Sequence, residues 1–344
     1  MLFWLPVLLV AAAGLWSYGS WTQKQHEVAA APAQVAAVLQ VKALYAVAFA
    51  PTGRTLAAAH TDGVVRLWDL ASQRVQGTLA GHQWEVRGLA YSPDGRWLVT
   101  VGGSAAKETG EVLLWDTATG ELKTTLWRHR YPVLCVAFSV DGRYLAAGAM
   151  TGTVTIWDTT AWRPWMSFPA HTVEVMGIAF APDGATVATA SSDDTVKLWK
   201  LTDGTAPLIL RGHASTVRAV AFAPDGRTLA TASSDETVRL WDPATGQLLR
   251  TLTGHYGHVR SIAFTLTGKT LVAGSGHRWI PGDLKFWDLV ETQSRTVAAH
   301  QSMVTCVAIS PDGQTLATAS GDETIKLWDL ATGQELATLS WQGE

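Results

Sequence analysis

The sequence predicts an all-β chain of seven four-stranded blades behind a single apolar N-terminal segment. Three observations carry that expectation. A tryptophan, nearly always followed by Asp, recurs every 41 to 47 residues; turn signals fall at fixed offsets inside each period; and residues 2–23 contain no charged side chain. A period of this length marks one supersecondary unit per repeat, whose apolar faces are buried only by stacking on neighbours.

The apolar segment comes first. As a helix rising about 1.5 Å per residue it would reach about 33 Å, enough for a hydrocarbon core of about 30 Å. Pro6 falls near the first turn, where a missing N–H costs least. Trp16, Tyr18 and Trp21 gather towards one end, as rings do at a headgroup boundary. Residues 1–23 are therefore expected to form a transmembrane anchor. The rival is a cleaved secretory signal, with Ala11-Ala12-Ala13 or Ala29-Ala30-Ala31 as the cleavage site, although no Lys or Arg precedes the apolar run. Lys24, Lys42 and Arg54 all follow it, so the positive-inside rule puts the C-terminal bulk on the cytoplasmic side, with the periplasmic or extracellular side as the alternative. Residues 24–42, rich in Ala, Val and Gln, read as a linker, and residues 43–341 hold the repeats.

Composition supplies a large core, 47% hydrophobic against 16% charged. Net charge is −3 and there is no Lys/Arg block, so the basic stripe that nucleic-acid binding needs is missing. Cys135 and Cys306 each lie six residues after a repeat histidine (His129, His300), which puts them at one strand position in two distant repeats, beyond the roughly 7 Å reach of a disulfide. They read as small core residues. With no Cys-x-x-Cys motif, structural zinc and covalent haem have no support, and no cofactor is expected.

Residues 212–242 are the best-formed repeat. Residues 217–223 make a first strand, then Pro224-Asp225-Gly226 turns the chain. Residues 228–233 make a second, and Ser234-Asp235-Glu236 a second turn. In residues 237–241 Val238 and Leu240 alternate with Arg239 and Trp241, period two, giving a third strand. After Pro243-Ala244-Thr245-Gly246, residues 247–252 make the fourth. Four short antiparallel strands without a helix are one propeller blade.

With these residues in view, the chain resembles the WD40 family over about residues 43–341. The endings Trp68-Asp69, Trp115-Asp116, Trp157-Asp158, Trp241-Asp242, Trp287-Asp288 and Trp328-Asp329, with Trp199-Lys200 as a seventh, carry the resemblance. So do Gly81-His82, Gly212-His213 and Gly254-His255. The resemblance implies a seven-bladed β-propeller, and in each blade a hydrogen-bonded chain of His, Ser/Thr, Asp and Trp. Complete sets are His171, Ser191, Asp193, Trp199; His213, Ser233, Asp235, Trp241; and His300, Ser320, Asp322, Trp328. Such sets satisfy buried donors and acceptors. They are not catalytic triads, which occur once, at a cleft.

Repeat one has Gln40 for the histidine and His60 at the serine position. Repeat two has Thr109, and repeat three Ala149 and Thr151, in place of Ser and Asp; repeat six keeps His255 and Ser275 with its Asp displaced to Asp283. Blades one to three are accordingly expected to be the less rigid. Residues 331–339 copy residues 244–252 closely, so the C-terminus is expected to supply the fourth strand of blade seven, leaving the N-terminal linker outside the ring.

Two tight turns are expanded, at residues 102–110 and 276–282. The first reads as a tolerated loop; His277, Arg278 and Trp279 in the second read as interface anchors. The resemblance implies partner contacts three and five positions after each repeat histidine. Those positions hold Tyr45, Glu85, Arg87, Leu134, Glu174 and Met176, and further on Arg218, His258, Arg260 and Met303. Arg, Met and aromatics are the types interfaces favour; the alternative is that several line a solvated channel mouth. Trp162 and Trp165, outside the repeat pattern, give either a second contact on the opposite face or cover for blade edges.

The expected role is a non-catalytic protein-interaction scaffold held at a membrane, an accessory subunit of a bacterial membrane complex whose other subunits are its partners. The alternative is an exported propeller binding a ligand, or an enzyme or cofactor site in the central channel. The latter calls for chemistry-bearing clusters off the repeat spacing, which the sequence does not offer.

Overall fold

The computed structural model describes residues 43–202, 204–277 and 280–341. Over them the chain forms seven four-stranded antiparallel sheets, each made of consecutive strands. In the best-formed repeat the strands are Val217–Phe222, Leu229–Ser233, Val238–Trp241 and Leu248–Leu252, within a residue of the sequence expectation. The expected anchor and linker lie outside the described residues, within which no helix is long and apolar enough to cross a membrane.

The core lies between blades, not within them. Leu240 and Leu252 of blade five, for example, pack with Ile262, Phe264 and Trp287 of blade six. Each repeat tryptophan points back at the preceding blade: Trp115 packs with Val65 and Leu79 of blade one, and Trp241 with Leu198 and Leu210 of blade four. Period-two strands turn one face to each neighbour, so both faces are buried only when both neighbours are present.

The Asp after each tryptophan has local work. Asp242 accepts the backbone N–H groups of Ala244 (2.8 Å) and Thr245 (3.3 Å), and Asp329 that of Thr332 (2.7 Å), fixing the turn into the outer strand. Lys200 cannot accept these bonds. The outer strand of that blade, Leu208–Leu210, is also the shortest among the described residues.

Ring closure follows the C-terminal copy. Glu335–Ser340 is the outer strand of blade seven, pairing with Thr324–Asp329. Leu44, Phe49 and Trp68 of blade one then pack directly on Ile325, Leu327 and Leu339 of blade seven. Trp341, just past the last strand, lies under the Arg66 guanidinium at 4.4 Å, so an aromatic–cation contact also crosses this seam.

One expectation is corrected here. Residues 102–110 are not a loop but an extension of the hairpin Trp97–Ser104 and Thr109–Asp116, paired out to Ser104 opposite Thr109. Its glycines are steric. A Cβ on Gly102 would lie 2.1 Å from the Glu85 carbonyl oxygen, and one on Gly110 2.1 Å from that of Tyr131. Cys135 and Cys306 are both free thiols. Burial pushes the Cys135 thiol up to about 12, so it is inert.

Candidate interaction surface

The loops carrying the repeat histidines and the turns between second and third strands share one face. Its framework is the histidine network, wired differently from expectation. In blade four, Trp199 Nε1 donates to Thr189 Oγ1 at 3.0 Å, His171 Nε2 lies 2.8 Å from the same hydroxyl, and His171 Nδ1 lies 2.8 Å from Asp193 Oδ2. The relay residue is therefore Thr189, not Ser191; the Ser191 hydroxyl instead accepts the Asp193 N–H (3.1 Å). Blades five and seven repeat the arrangement. Thr231 joins Trp241 (2.9 Å) to His213 (2.7 Å), and Thr318 joins Trp328 (2.9 Å) to His300 (2.7 Å). Asp235 and Asp322 complete those chains. Ser233 and Ser320 instead turn their hydroxyls to the Ser215 and Ser302 carbonyls. The serine shares the threonine's face of the strand but lies two residues, about 6.6 Å, further along, at the end beside the turn, where it bonds the turn backbone instead of the indole.

The carboxylates respond to this wiring. Burial alone would raise Asp235, but bonds from His213, Thr237 and the Ala214 N–H hold it well below the usual carboxylate range. His171 is lowered by burial, against the raising effect of Asp193.

Blade two is not deficient. Thr100 joins Trp115 (2.7 Å) to His82 (2.7 Å), and Glu111, from the extended hairpin, takes the Asp role at 3.1 Å from His82 Nδ1. The blades that lose the relay are those with alanine at the threonine position: Ala58 in blade one, Ala147 in blade three and Ala273 in blade six. There the indole N–H groups of Trp68, Trp157 and Trp287 are buried without partners among the described residues, as are both ring nitrogens of His255.

Above this framework sits a feature that sequence periodicity does not show. Every inner strand carries a β-bulge at its second residue. In blades one to four that residue is Tyr45, Arg87, Leu134 and Met176. In blades five to seven it is Arg218, Arg260 and Thr305. A bulge leaves its residue unpaired and re-aims the side chain. The inner strands are neighbours around the ring, Val304–Ile309 beside Leu44–Phe49 included, so the bulges form one rung at the mouth of the channel.

The rung is chemically lopsided. Arg87 pairs with Glu85 (Nη2 to Oε2, 2.5 Å) and lies over the Tyr45 ring at 4.6 Å, while the Tyr45 hydroxyl donates to Glu85 at 3.3 Å. Arg218 Nε donates to Ser234 Oγ at 2.6 Å, and His258 Nδ1 to the Ser234 carbonyl at 3.0 Å. Burial lowers Arg218, and burial plus the charge of Arg218 brings Arg260 down to about 10. Burial also lowers His258, helped by Arg218, His277 and Arg260 and opposed by its bond to Ser234.

Of the expanded turn in blade six, His277 meets His258 edge-on at 4.4 Å between centroids, and Ile280 is 49% exposed. Arg278 and Trp279 lie outside the described residues. Met303 belongs to the same face, its backbone carbonyl accepting the Gly321 N–H at 3.1 Å. Tyr256, 82% exposed, is an addition the sequence reasoning passed over. Its signal was available: the residue after the repeat histidine is Gln83, Thr172, Ala214 and Gln301 in other repeats, and an aromatic only here.

On the opposite face Trp162 is packed edge-on between Trp97 (5.8 Å) and Phe138 (6.3 Å), covering the joint between blades two and three. It holds φ +50° where blades two, five and seven have Gly120, Gly246 and Gly333 at +70 to +76°. The strain, of order 1 kcal/mol, is borne for that packing. Trp165 stacks on Tyr144 at 4.8 Å and keeps 44% of its surface exposed.

Comparison with known proteins agrees with the geometry. Residues 174–344 match the model described as the IFT122 first beta-propeller, and residues 38–69, 73–116 and 120–158 match the WD domain, G-beta repeat. Among curated proteins, the Notchless protein homolog of Arabidopsis thaliana is 53% identical over 45 residues, 13% of this chain and 10% of that protein. The pre-mRNA-splicing factor PRP46 of Yarrowia lipolytica is 49% identical over 45 residues, again 13% and 10%. WD repeat-containing protein 18 of Bos taurus is 36% identical over 53 residues, 15% and 12%. The matched segments therefore span about a tenth of each relative, the length of a single repeat.

Proposed function

The chain belongs to the WD40-repeat family and folds as a seven-bladed β-propeller, and from that premise we propose that it is a non-catalytic scaffold that docks other proteins on the face bearing its repeat histidines. The observation that carries this reading is the asymmetry of that face. All seven blades share one strand plan and five share the same short turn between second and third strands, yet the bulge rung and the loops around Tyr256 and Ile280 differ blade by blade in charge and size. A face kept only for folding has no need of such variety; exposed Tyr and part-buried Arg are the usual anchors of interfaces.

We further propose that residues 2–23 hold the scaffold at a membrane and that its partners are subunits of a membrane complex. Support for this comes from the length and uncharged character of that segment. Mild-detergent capture of the tagged full chain, with mass spectrometry, tests the scaffold: stoichiometric partners are expected, and they should be lost from a Tyr256→Ala, His277→Ala double variant. Recovery of the lone propeller would overturn the complex-subunit reading. Membrane fractionation with intact-mass measurement separates a retained anchor from a cleaved, exported form.

A further inference from the structure

The bulge rung holds an electrostatic imbalance. Arg87 is compensated by Glu85. Arg218 and Arg260, on adjacent inner strands, are not: among the described residues neither guanidinium has a carboxylate within ion-pair distance, and the only side-chain bond of Arg218 is to the neutral Ser234 hydroxyl. Among the described residues Arg260 Nε is buried without a partner, and so is the hydroxyl of Thr305, the rung residue of the next blade. Two like charges side by side, partly desolvated and with donors unused, oppose folding. Such an arrangement suits an anion, because a guanidinium fork is built to take two parallel bonds from an oxyanion.

The remainder of the rung narrows the anion. Leu134 and Met176, from blades three and four, make its other side apolar. Glu174, three positions after its histidine, adds negative charge at the rim, which disfavours a dianion such as phosphate more than a single carboxylate. We propose that the rung receives an acidic segment of a partner protein, one Asp or Glu carboxylate seating on Arg218, Arg260 and the Thr305 hydroxyl while an adjacent apolar side chain lies on Leu134 and Met176. This rests on the same face being the docking surface. It fails separately, because partner capture through Tyr256 and His277 does not depend on it.

The test is calorimetric titration of the full chain in mild detergent with an acetylated Glu-Leu-Glu-Leu-Glu peptide, its Gln-for-Glu counterpart, and inorganic phosphate. The Glu peptide is expected to bind at least tenfold tighter than the Gln peptide and than phosphate. Arg260→Met should weaken it at least tenfold, while the exposed opposite-face variant Arg227→Met leaves it within twofold. The thermal midpoint of Arg260→Met should stay level or rise, since an uncompensated charge is removed. A lowered midpoint would make Arg260 a structural residue and overturn the assignment. So would equal loss in Arg227→Met, which means bulk electrostatics, or tighter binding of phosphate, which means an adventitious anion only. Arg218→Gln carries the same comparison if Arg260→Met does not fold.

Discussion

Replacing Ala273 by Thr should repair blade six. In blade five Thr231 sits between His213 and Trp241, whose ring centroids are 6.4 Å apart; His255 and Trp287 are 6.1 Å apart with only Ala273 at the corresponding strand position. Trp287 Nε1 and both ring nitrogens of His255 are left without partners among the described residues. A hydroxyl there can accept from the indole and bond one imidazole nitrogen. At about 1 kcal/mol net per hydrogen bond, that contributes about 2 kcal/mol. Against it stands the crowding of two extra heavy atoms in a site with no solvent exposure, which typically costs about 1–3 kcal/mol. Ala273→Val imposes nearly the same crowding without the hydroxyl, so the difference between the variants isolates the bonds. Urea unfolding should place Ala273→Thr about 2 kcal/mol above Ala273→Val, a midpoint separation of roughly 0.5–1 M. Variants agreeing within about 0.5 kcal/mol would refute the idea that the threonine relay, and not mere packing, fixes the histidine and tryptophan.

Other outcomes follow from the same geometry. Hydrogen exchange should show blades two, four, five and seven better protected than blades one, three and six, following threonine against alanine at the relay position; equal protection of all seven would count against it. Burial, then the Lys285 charge, lower His255 to about 4, below its unfolded value near 6.5. The unfolded chain therefore takes up a proton first, so this stability is present above about pH 6.5 and lost as pH falls towards 4, about 3 kcal/mol in all. His255→Phe should flatten that part of the stability–pH curve, and an unchanged slope would show the acid sensitivity to lie elsewhere. Trp162→Ala should cost about 2–4 kcal/mol in urea unfolding, and Trp165→Ala within about 1 kcal/mol, because only the first fills a joint between blades. The reverse order would mean that Trp165 is the structural residue.

The architecture was legible in the chain because it is written seven times. The Trp-Asp endings, the Pro-Asp-Gly turns and the copy of residues 244–252 at residues 331–339 each correspond to a feature of the folded ring, down to which strand completes blade seven. The networks were legible only in outline. His171, Asp193 and Trp199 meet as expected, but the hydroxyl joining histidine to tryptophan comes from Thr189: it and Ser191 share one face of the strand, and the indole N–H reaches the one further from the turn. Glu111 replaced an aspartate through an extended hairpin that looked like a slack loop. The bulges left no compositional trace, but Arg218 and Arg260 were already marked by standing five positions after His213 and His255; the pairing register adds why their side chains share an aim. The anchor segment, Arg278 and Trp279 remain readings of the sequence.

The seam between the first and last blades has a consequence for chain order. Among the described residues no strand crosses it: blade one is built from Leu44 to Ala80 and blade seven from Val304 to Ser340, and they adhere through the same kind of side-chain layer as any other pair. The place where this ring is cut is therefore topologically arbitrary. The described first and last strands belong to neighbouring blades, and a short tether joining them, with a new opening between any two other blades, leaves every sheet and every joint intact. The order of blades along the chain is the order around the ring, and only the starting point is free, each blade answering to the two it touches.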